Sequence, residues 1–325
     1  MMSSGPAMTG KILALTGATG FVGAAIAERF TTAGVKVRAL ARTPENLDEN
    51  HIFESVAGDL ADEHALGKLC EGADWIVHCA GLTHARNDAE FARTNVTGAA
   101  NVAHAFCQNG AQSGRMVHIS SLAARRPAIS AYAGSKFDSE GAVQAVMEGG
   151  REQSLVTMRA PALFGPRDHA TLPFFKAVKA GLAPIPGGKV EGRVSIICVD
   201  DFVDAIEVAL SADTPPGLYE IGDSKPGGHS WREIVTACAT GLGVRARALP
   251  LPKPVLSGYA ALSSSAIRLA GRAPMVTPQK IEEFFYPDWA ARENLFSQST
   301  AWTPRTSIEE GFAKTAKWYQ QAGWL

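Results

Sequence analysis

In the stretch ISSLAARRPAISAYAGSK, Tyr132 and Lys136 stand four residues apart, and Ser120 and Ser121 close the apolar run ahead of them. On a helix that spacing puts the phenol and the amine on one face, a turn apart. A phenol ordinarily loses its proton near pH ~10, and a neighbouring ammonium favours the phenolate and lowers that value. Tyr132 can then exchange a proton with a substrate alcohol or carbonyl, while a serine hydroxyl holds the same oxygen. Lys136 has a second use, binding the ribose of a nicotinamide that supplies hydride. A Tyr-x-x-x-Lys pair on a helix is common by chance. Its weight comes from the elements that precede it.

The first of these is TGATGFVG, directly after the apolar run Ile12 to Leu15. Gly17, Gly20 and Gly23 stand three apart where a strand hands over to a helix. Gly17 suits the sharp turn, Gly20 leaves room for a ligand against the backbone, and Gly23 lets the helix pack close to the sheet. A helix is expected over Phe21–Ala33, closed by Gly34. The free N–H groups around Thr19, Gly20, Phe21 and Val22 attract a phosphate, and a dinucleotide pyrophosphate is the natural ligand. The bland alternative is a glycine-rich turn.

Cofactor choice turns on the end of the second strand. A ribose diol is usually held there by Asp or Glu, whereas this chain has Ala41 followed by Arg42. A guanidinium suits a 2′-phosphate, which favours NADP, with NAD as the alternative. Asp59 in GDL can accept from an adenine amine while Leu60 covers the ring. In HCAG, the backbone of Cys79, Ala80 and Gly81 must pass close to a ribose.

Strands are expected at Ile12–Leu15, Lys36–Ala41, Phe53–Ala57, Trp75–Cys79, Arg115–Ile119 and Leu155–Met158. Helical patterns lie between them at Glu63–Cys70, Thr94–Asn109 and from about Ala131. This alternation implies an α/β fold, a doubly wound parallel sheet of the Rossmann kind. Residues 10–164 read as the dinucleotide-binding domain. Residues 165–325 read as a smaller, interleaved substrate domain, with 193–222 returning to the first. APALFGPRD and LAPIPGG read as loops, Asp200 or Asp201 as a helix N-cap, and Ser230–Gly241 and Ser307–Gln321 as helices.

The bulk numbers exclude several classes. A net charge of −1 over 325 residues gives no electrostatic argument for nucleic acid or an anionic membrane, and neither is expected as a partner. Five scattered cysteines without a Cys-x-x-Cys pair suit free thiols in a reducing cytoplasm and argue against a metal site. The leader MMSSGPAMTG lacks the apolar core of a signal peptide, and Met8 is a candidate start. Pro250 to Gly271 is broken by prolines and charges, so no membrane span is expected.

Taken together, TGATGFVG, GDL, HCAG, Asn95 in NVTG, ISS, YAGSK, RAPALFGPRD, VDDFVDA and the GFAKTAKWYQQAGW ending resemble the extended short-chain dehydrogenases/reductases, the NAD-dependent epimerase/dehydratase group. The resemblance implies Ser121, Tyr132 and Lys136 as a catalytic trio. It implies that Asn95 organises the helix and a proton-relay water, and that Pro161 and Leu163 line the nicotinamide. It also implies a homodimer through the Thr94–Asn109 and Tyr132–Lys136 helices. Departures point to the reaction. Leu122 and Ala123 follow Ser121 where sugar-nucleotide dehydratases carry acids, and the insert before Tyr132 is short. Carbonyl reduction or alcohol oxidation of a small molecule ranks first, sugar-nucleotide epimerisation second, and a non-catalytic NADPH-binding protein third. His84, Arg86, Arg125, Arg126, Arg167 and His169 read as candidate substrate contacts or as ordinary solvated residues. Trp302 and Trp318 read as packing.

Overall fold

The computed structural model describes residues 8–151, 154–188, 190–269 and 277–325. Seven parallel strands form the main sheet: β1 (Ile12–Thr16), β2 (Lys36–Ala41), β3 (Glu54–Ala57), β4 (Trp75–His78), β5 (Arg115–Ser121), β6 (Leu155–Ala160) and β7 (Gly217–Glu220). Their spatial order is β7-β6-β5-β4-β1-β2-β3. The chain direction across the sheet reverses between β1 and β4, where the carboxyl ends of neighbouring strands leave a crevice.

Period-two alternation sends successive residues to opposite layers. Leu13 and Leu15 join Val37, Val77 and Val156 under the helices Phe21–Thr32 and Val199–Ala209. Ala14, Ile76 and Met116 face the helices Glu63–Cys70 and Gly98–Asn109 instead. The second half builds its own apolar cluster around Phe175, Ile196, Ile234, Cys238, Phe312 and Tyr319.

Residues 162–164 and 182–187, expected as loops, are strands. Ala162–Phe164 pairs with Ile196–Cys198, and Leu182–Gly187 pairs in parallel with Arg247–Pro252. Proline-rich sequence hid the second pair, because a strand at an edge tolerates missing N–H donors. Neither Asp200 nor Asp201 caps its helix. Cys198 holds that position, and Asp201 accepts from the backbone of Arg305 and Thr306 and from the Thr306 hydroxyl. The reach is over a hundred residues, so no local pattern announced it. Part of the Pro250 to Gly271 stretch lies outside the described residues. The rest is the end of the edge strand and the helix Lys253–Leu269, and no helix among the described residues is long and apolar enough to cross a membrane.

Gly17 has φ +78°, and a Cβ on it would sit 2.7 Å from the Ala80 nitrogen, so the turn and the close approach to the β4 end both require glycine. Gly23 packs on the glycine loop rather than on the sheet: its Cβ would fall 2.0 Å from the Gly17 oxygen. Gly23→Ala should therefore lower stability by about 1–3 kcal/mol or more. Gly67→Ala, in a helix with its nearest neighbour 3.9 Å away, should raise it by up to about 1 kcal/mol. Urea unfolding of both variants checks this. Equal effects would contradict the assignment of Gly23 to a steric need.

Candidate active site

The first helix starts at Phe21 after Gly20, with no side chain capping it and no carboxylate in its first turn. Its N–H groups therefore remain available for an anion, and the helix dipole favours one there. A bare glycine loop against Cys79 and Ala80 is the cradle that a pyrophosphate needs, so the residues present fit a dinucleotide. Around it stand the other positions marked from sequence. Arg42 is exposed just past β2 and forms no ion pair or hydrogen bond among the described residues. Asp59 is exposed, its Oδ1 accepting from the Ala61 N–H at 2.8 Å. Leu60 is pressed onto Gly98, where a Cβ would lie 2.8 Å from Leu60 Cδ1. Pro161 and Leu163 are partly buried in the segment after β6. Gly165 brings that segment to the start of the first helix, since its Cβ would lie 3.4 Å from the Phe21 ring.

Beside this cradle, helix Ala131–Met147 carries Tyr132 and Lys136 past the carboxyl end of β5. Ser130 caps it, accepting from the Ala133 N–H. Lys136 is 7% exposed, and its Nζ donates to the Ile119 carbonyl at 2.6 Å. Burial pulls its pKa from 10.5 down to about 8. Tyr132 departs from expectation. Burial holds its phenol above the ordinary 10.0, and a hydrogen bond with Ser121 and the Lys280 ammonium only partly offset this. Desolvation outweighs charge here: the cation that acts on the phenol is Lys280 rather than Lys136, whose ammonium was expected to lower the value and is turned to the Ile119 carbonyl, and Glu283 opposes it.

Asn95 joins the cradle to this helix. It lies in a π-helical turn, Ala92–Thr97, that interrupts the expected Thr94–Asn109 helix. Its Oδ1 accepts from the Leu82 N–H at 2.7 Å, and its Nδ2 donates to the Leu82 carbonyl at 3.0 Å and to Ser135 Oγ at 2.9 Å. Ser135 in turn donates to the Tyr132 carbonyl. Both amide hydrogens and one oxygen lone pair are thus committed to positioning. Wide turns of this kind recur at functional sites.

Residues 13–222 match the NAD dependent epimerase/dehydratase family. The chain belongs to this family. It is an NAD(P)-dependent oxidoreductase, an α/β enzyme of the extended short-chain type. The ceramide reductase of Caulobacter vibrioides is 33% identical over 321 residues, covering 97% of this chain and 96% of that protein. The UDP-glucose 4-epimerase of Vibrio cholerae is 23% identical over 345 residues, with 99% of each chain covered. The structure of MoeE5 in complex with UDP-glucose and NAD is similar in fold, with a TM-score of 0.73 at 21% identity, covering 96% of this chain and 99% of that one.

Several residues that support the site of this family member were not found from sequence. Strand register lines up Thr16, His78, His118 and Thr157 in one row across four strands, all buried. Thr16 Oγ1 meets His78 Nδ1 at 2.8 Å and also accepts from the Ala80 N–H. The His78 and His118 rings stack at 5.5 Å. Burial, reinforced by Lys136, holds both imidazoles neutral, His78 at about 3. Ser120 points away from Ser121, donating to Glu140 at 2.5 Å, and Arg159 grips the same carboxylate through two hydrogen bonds. Only the period-two alternation of β5 hinted that the two serines have different work.

The second half closes over the tyrosine. Ser130 donates to Glu283, which also pairs with Lys280 at 2.6 Å, and the Lys280 ammonium lies 5.4 Å from the Tyr132 ring. A pocket beside Tyr132 is lined by Thr83, His84, Arg86, Phe91, Gln279 and Lys280 among others. Of the arginines considered as substrate contacts, Arg125 donates to the carbonyls of Ala290 and Asp288 and Arg126 to the Tyr286 hydroxyl. They tie β5 to the second half instead. Arg86 pairs with Glu90, Arg167 pairs with Glu28, and His169 stacks on Trp324. Trp302 is buried in the core and Trp318 packs on Tyr319 and Trp324.

Lys136 makes the site costly to fold. Its folded pKa of about 8 lies below the unfolded 10.5, so the unfolded chain binds more protons between these values and native stability rises with pH across that window. Below it the amine is charged in both states, and burying it costs on the order of 3 kcal/mol. Lys136→Met removes this term. The stability difference between variant and native should shift toward the native chain as pH rises from ~7 to ~11. Urea melts at both ends measure it, and a pH-independent difference would contradict a buried, depressed lysine.

Proposed function

We propose that this oxidoreductase reduces the ketone of a ceramide-type lipid, a long-chain N-acylated amino alcohol in its keto form, to the secondary alcohol, with NADPH preferred over NADH. The observation that carries the chemistry is the placement of Ser121, Tyr132 and Lys136 at the carboxyl edge of the sheet, beside a glycine cradle fitted to a dinucleotide. The substrate class is supported by the 33% identity to a ceramide reductase over nearly the whole of both chains. Arg42, exposed at the β2 end and without an ion pair among the described residues, supports the 2′-phosphate.

In this reading the glycine loop and first helix hold the pyrophosphate, Asp59 and Leu60 hold the adenine, and Lys136, Pro161 and Leu163 face the nicotinamide end. When bound, that cofactor supplies the hydride. Ser121 and Tyr132 hold the carbonyl oxygen. As the carbonyl carbon becomes tetrahedral, its oxygen takes the Tyr132 proton, and the phenolate left behind is stabilised by the Ser121 hydroxyl and the Lys280 ammonium and re-protonated from solvent. A phenol held above 10 is fully protonated at neutral pH, which suits a proton donor and hence reduction. Asn95 fixes the helix that presents Tyr132. We also propose a homodimer through the Gly98–Asn109 and Ala131–Met147 helices, supported by Phe137, a large side chain 47% exposed on the latter.

Tyr132→Phe should leave NADPH binding, followed by fluorescence, nearly unchanged and slow turnover at least ~100-fold. Undiminished turnover would remove Tyr132 from the chemistry. Arg42→Ala should weaken NADPH selectively, as read by titration with both cofactors, and equal affinity of the native chain for NADH would contradict the preference. For the reverse reaction, Tyr132 must act as a base. Alcohol oxidation should therefore climb with pH up to the phenol's raised pKa, above 10.0, while ketone reduction holds level through neutrality. Rate profiles in the two directions test this.

A further inference from the structure

A net charge of −1 conceals a strong asymmetry. Residues 169–188 and 234–269 contain no Asp or Glu and six Lys or Arg, which leaves the rest of the chain with 25 cations against 32 carboxylates. The fold brings these two segments together, because Leu182–Gly187 and Arg247–Pro252 are partner strands, with Leu182 opposite Arg247 and Pro184 opposite Leu249. Lys176, Lys179, Arg245 and Arg247 are exposed and form no ion pair among the described residues. Lys253 pairs with Glu282.

The same region is unusually apolar outside. Leu182 is 50% exposed and Leu249 41%. The strand of Leu249 runs directly into helix Lys253–Leu269, whose exposed side is apolar where its side chains are described. Among its described side chains the exposed positions are Pro254, Val255, Gly258, Ala261 and Leu262, at spacings of three and four, and none is polar. A helix lying on a protein core turns polar residues outward. Here Leu262 is 78% exposed and Val255, two turns earlier on the same face, is 58% exposed. Apolar residues flanked by unpaired cations are what the interface of an anionic bilayer recognises: apolar side chains enter the acyl boundary while lysine and arginine meet the headgroups.

We propose that this face, formed by the 182–187 and 247–252 strands and the 253–269 helix, is a membrane-docking surface for anionic lipid bilayers. The net negative balance of the remaining chain, 25 cations against 32 carboxylates, favours approach to an anionic surface through this face. The helix Pro278–Phe285 packs against the docking helix and supplies Lys280 and Glu283 at Tyr132, so the pocket is one helix away from the bilayer. Docking stands on charge and exposure alone; its use, admitting a lipid ketone without passage through water, rests on the proposed substrate.

The test is co-sedimentation of the full chain with phosphatidylglycerol/phosphatidylcholine vesicles and with phosphatidylcholine vesicles. Turnover of a short-chain, water-soluble ketone is measured in parallel. Binding to the anionic vesicles that falls with added salt is expected, with little binding to the neutral ones. Arg245→Glu with Arg247→Glu should weaken it by at least about 25-fold, about five-fold for each charge lost. Leu262→Asp should weaken it by about ten-fold or more. Both variants should keep native unfolding curves and native soluble turnover. Vesicle binding that is absent, or indifferent to these changes, overturns the proposal. So does a Leu262→Asp variant that loses only self-association in light scattering, which would make the face a contact between copies. A native chain that turns over the ketone but binds neither vesicle would overturn docking alone, whereas docking without turnover of any ketone would overturn the reductase reading alone.

Discussion

Lys136 holds an ammonium out of water at the carboxyl edge of a parallel sheet, 2.6 Å from the Ile119 carbonyl. Much of the surrounding chemistry is shaped by that one buried charge. A second cation nearby would be ruinous, and both imidazoles of the row beneath it, His78 and His118, are held neutral partly by Lys136 itself. Ser139 donates to the Lys136 carbonyl and so must accept from His118 Nε2, which fixes the proton on that nitrogen. His118 Nδ1 is then a bare, buried acceptor without a partner. Glu140, a carboxylate that favours the charged lysine, is already shared by Ser120 and Arg159 and does not offset the burial. A core designed for stability alone would not contain this arrangement.

Holding the lysine and tyrosine in place takes groups from both halves of the chain. Asn95 fixes the helix from the cradle side through Leu82 and Ser135. From the other side Arg125, with a side chain only 12% exposed, reaches Glu220 and the carbonyls of Asp288 and Ala290, and Ser130 reaches Glu283. The segment that closes over Tyr132 is therefore anchored next to the end of β5, the same strand end that presents Ser121.

How much of this could be read from sequence follows the range of the interactions. The glycine loop, the Tyr132–Lys136 spacing and the alternation of strands and helices are local signals, and each lies where the alternation placed it. The π-turn at Asn95 was missed because a helix with one extra residue per turn has nearly the same pattern as one without. Arg125, Asp201 and the Ser120–Glu140–Arg159 network join residues far apart in the chain, and nothing near them in sequence betrays the partner. The raised Tyr132 pKa was misjudged for a related reason: the spacing to a lysine is visible, but the depth of burial that opposes its charge is not. The sequence resemblance drew Asn95, Pro161 and Leu163 into the site where no physical pattern did.

Net transfer of hydride from cofactor to substrate is the central claim, and a deuterium label reads it most directly. NADPH labelled on the transferring position is incubated with the ketone form of a ceramide, and product and cofactor are followed by mass spectrometry and absorbance. Reduction predicts that NADPH is consumed in step with alcohol formed, with deuterium on the new carbinol carbon and none lost to water. A cofactor that stays reduced while a sugar nucleotide is interconverted, with the label returned to the same sugar, would contradict it.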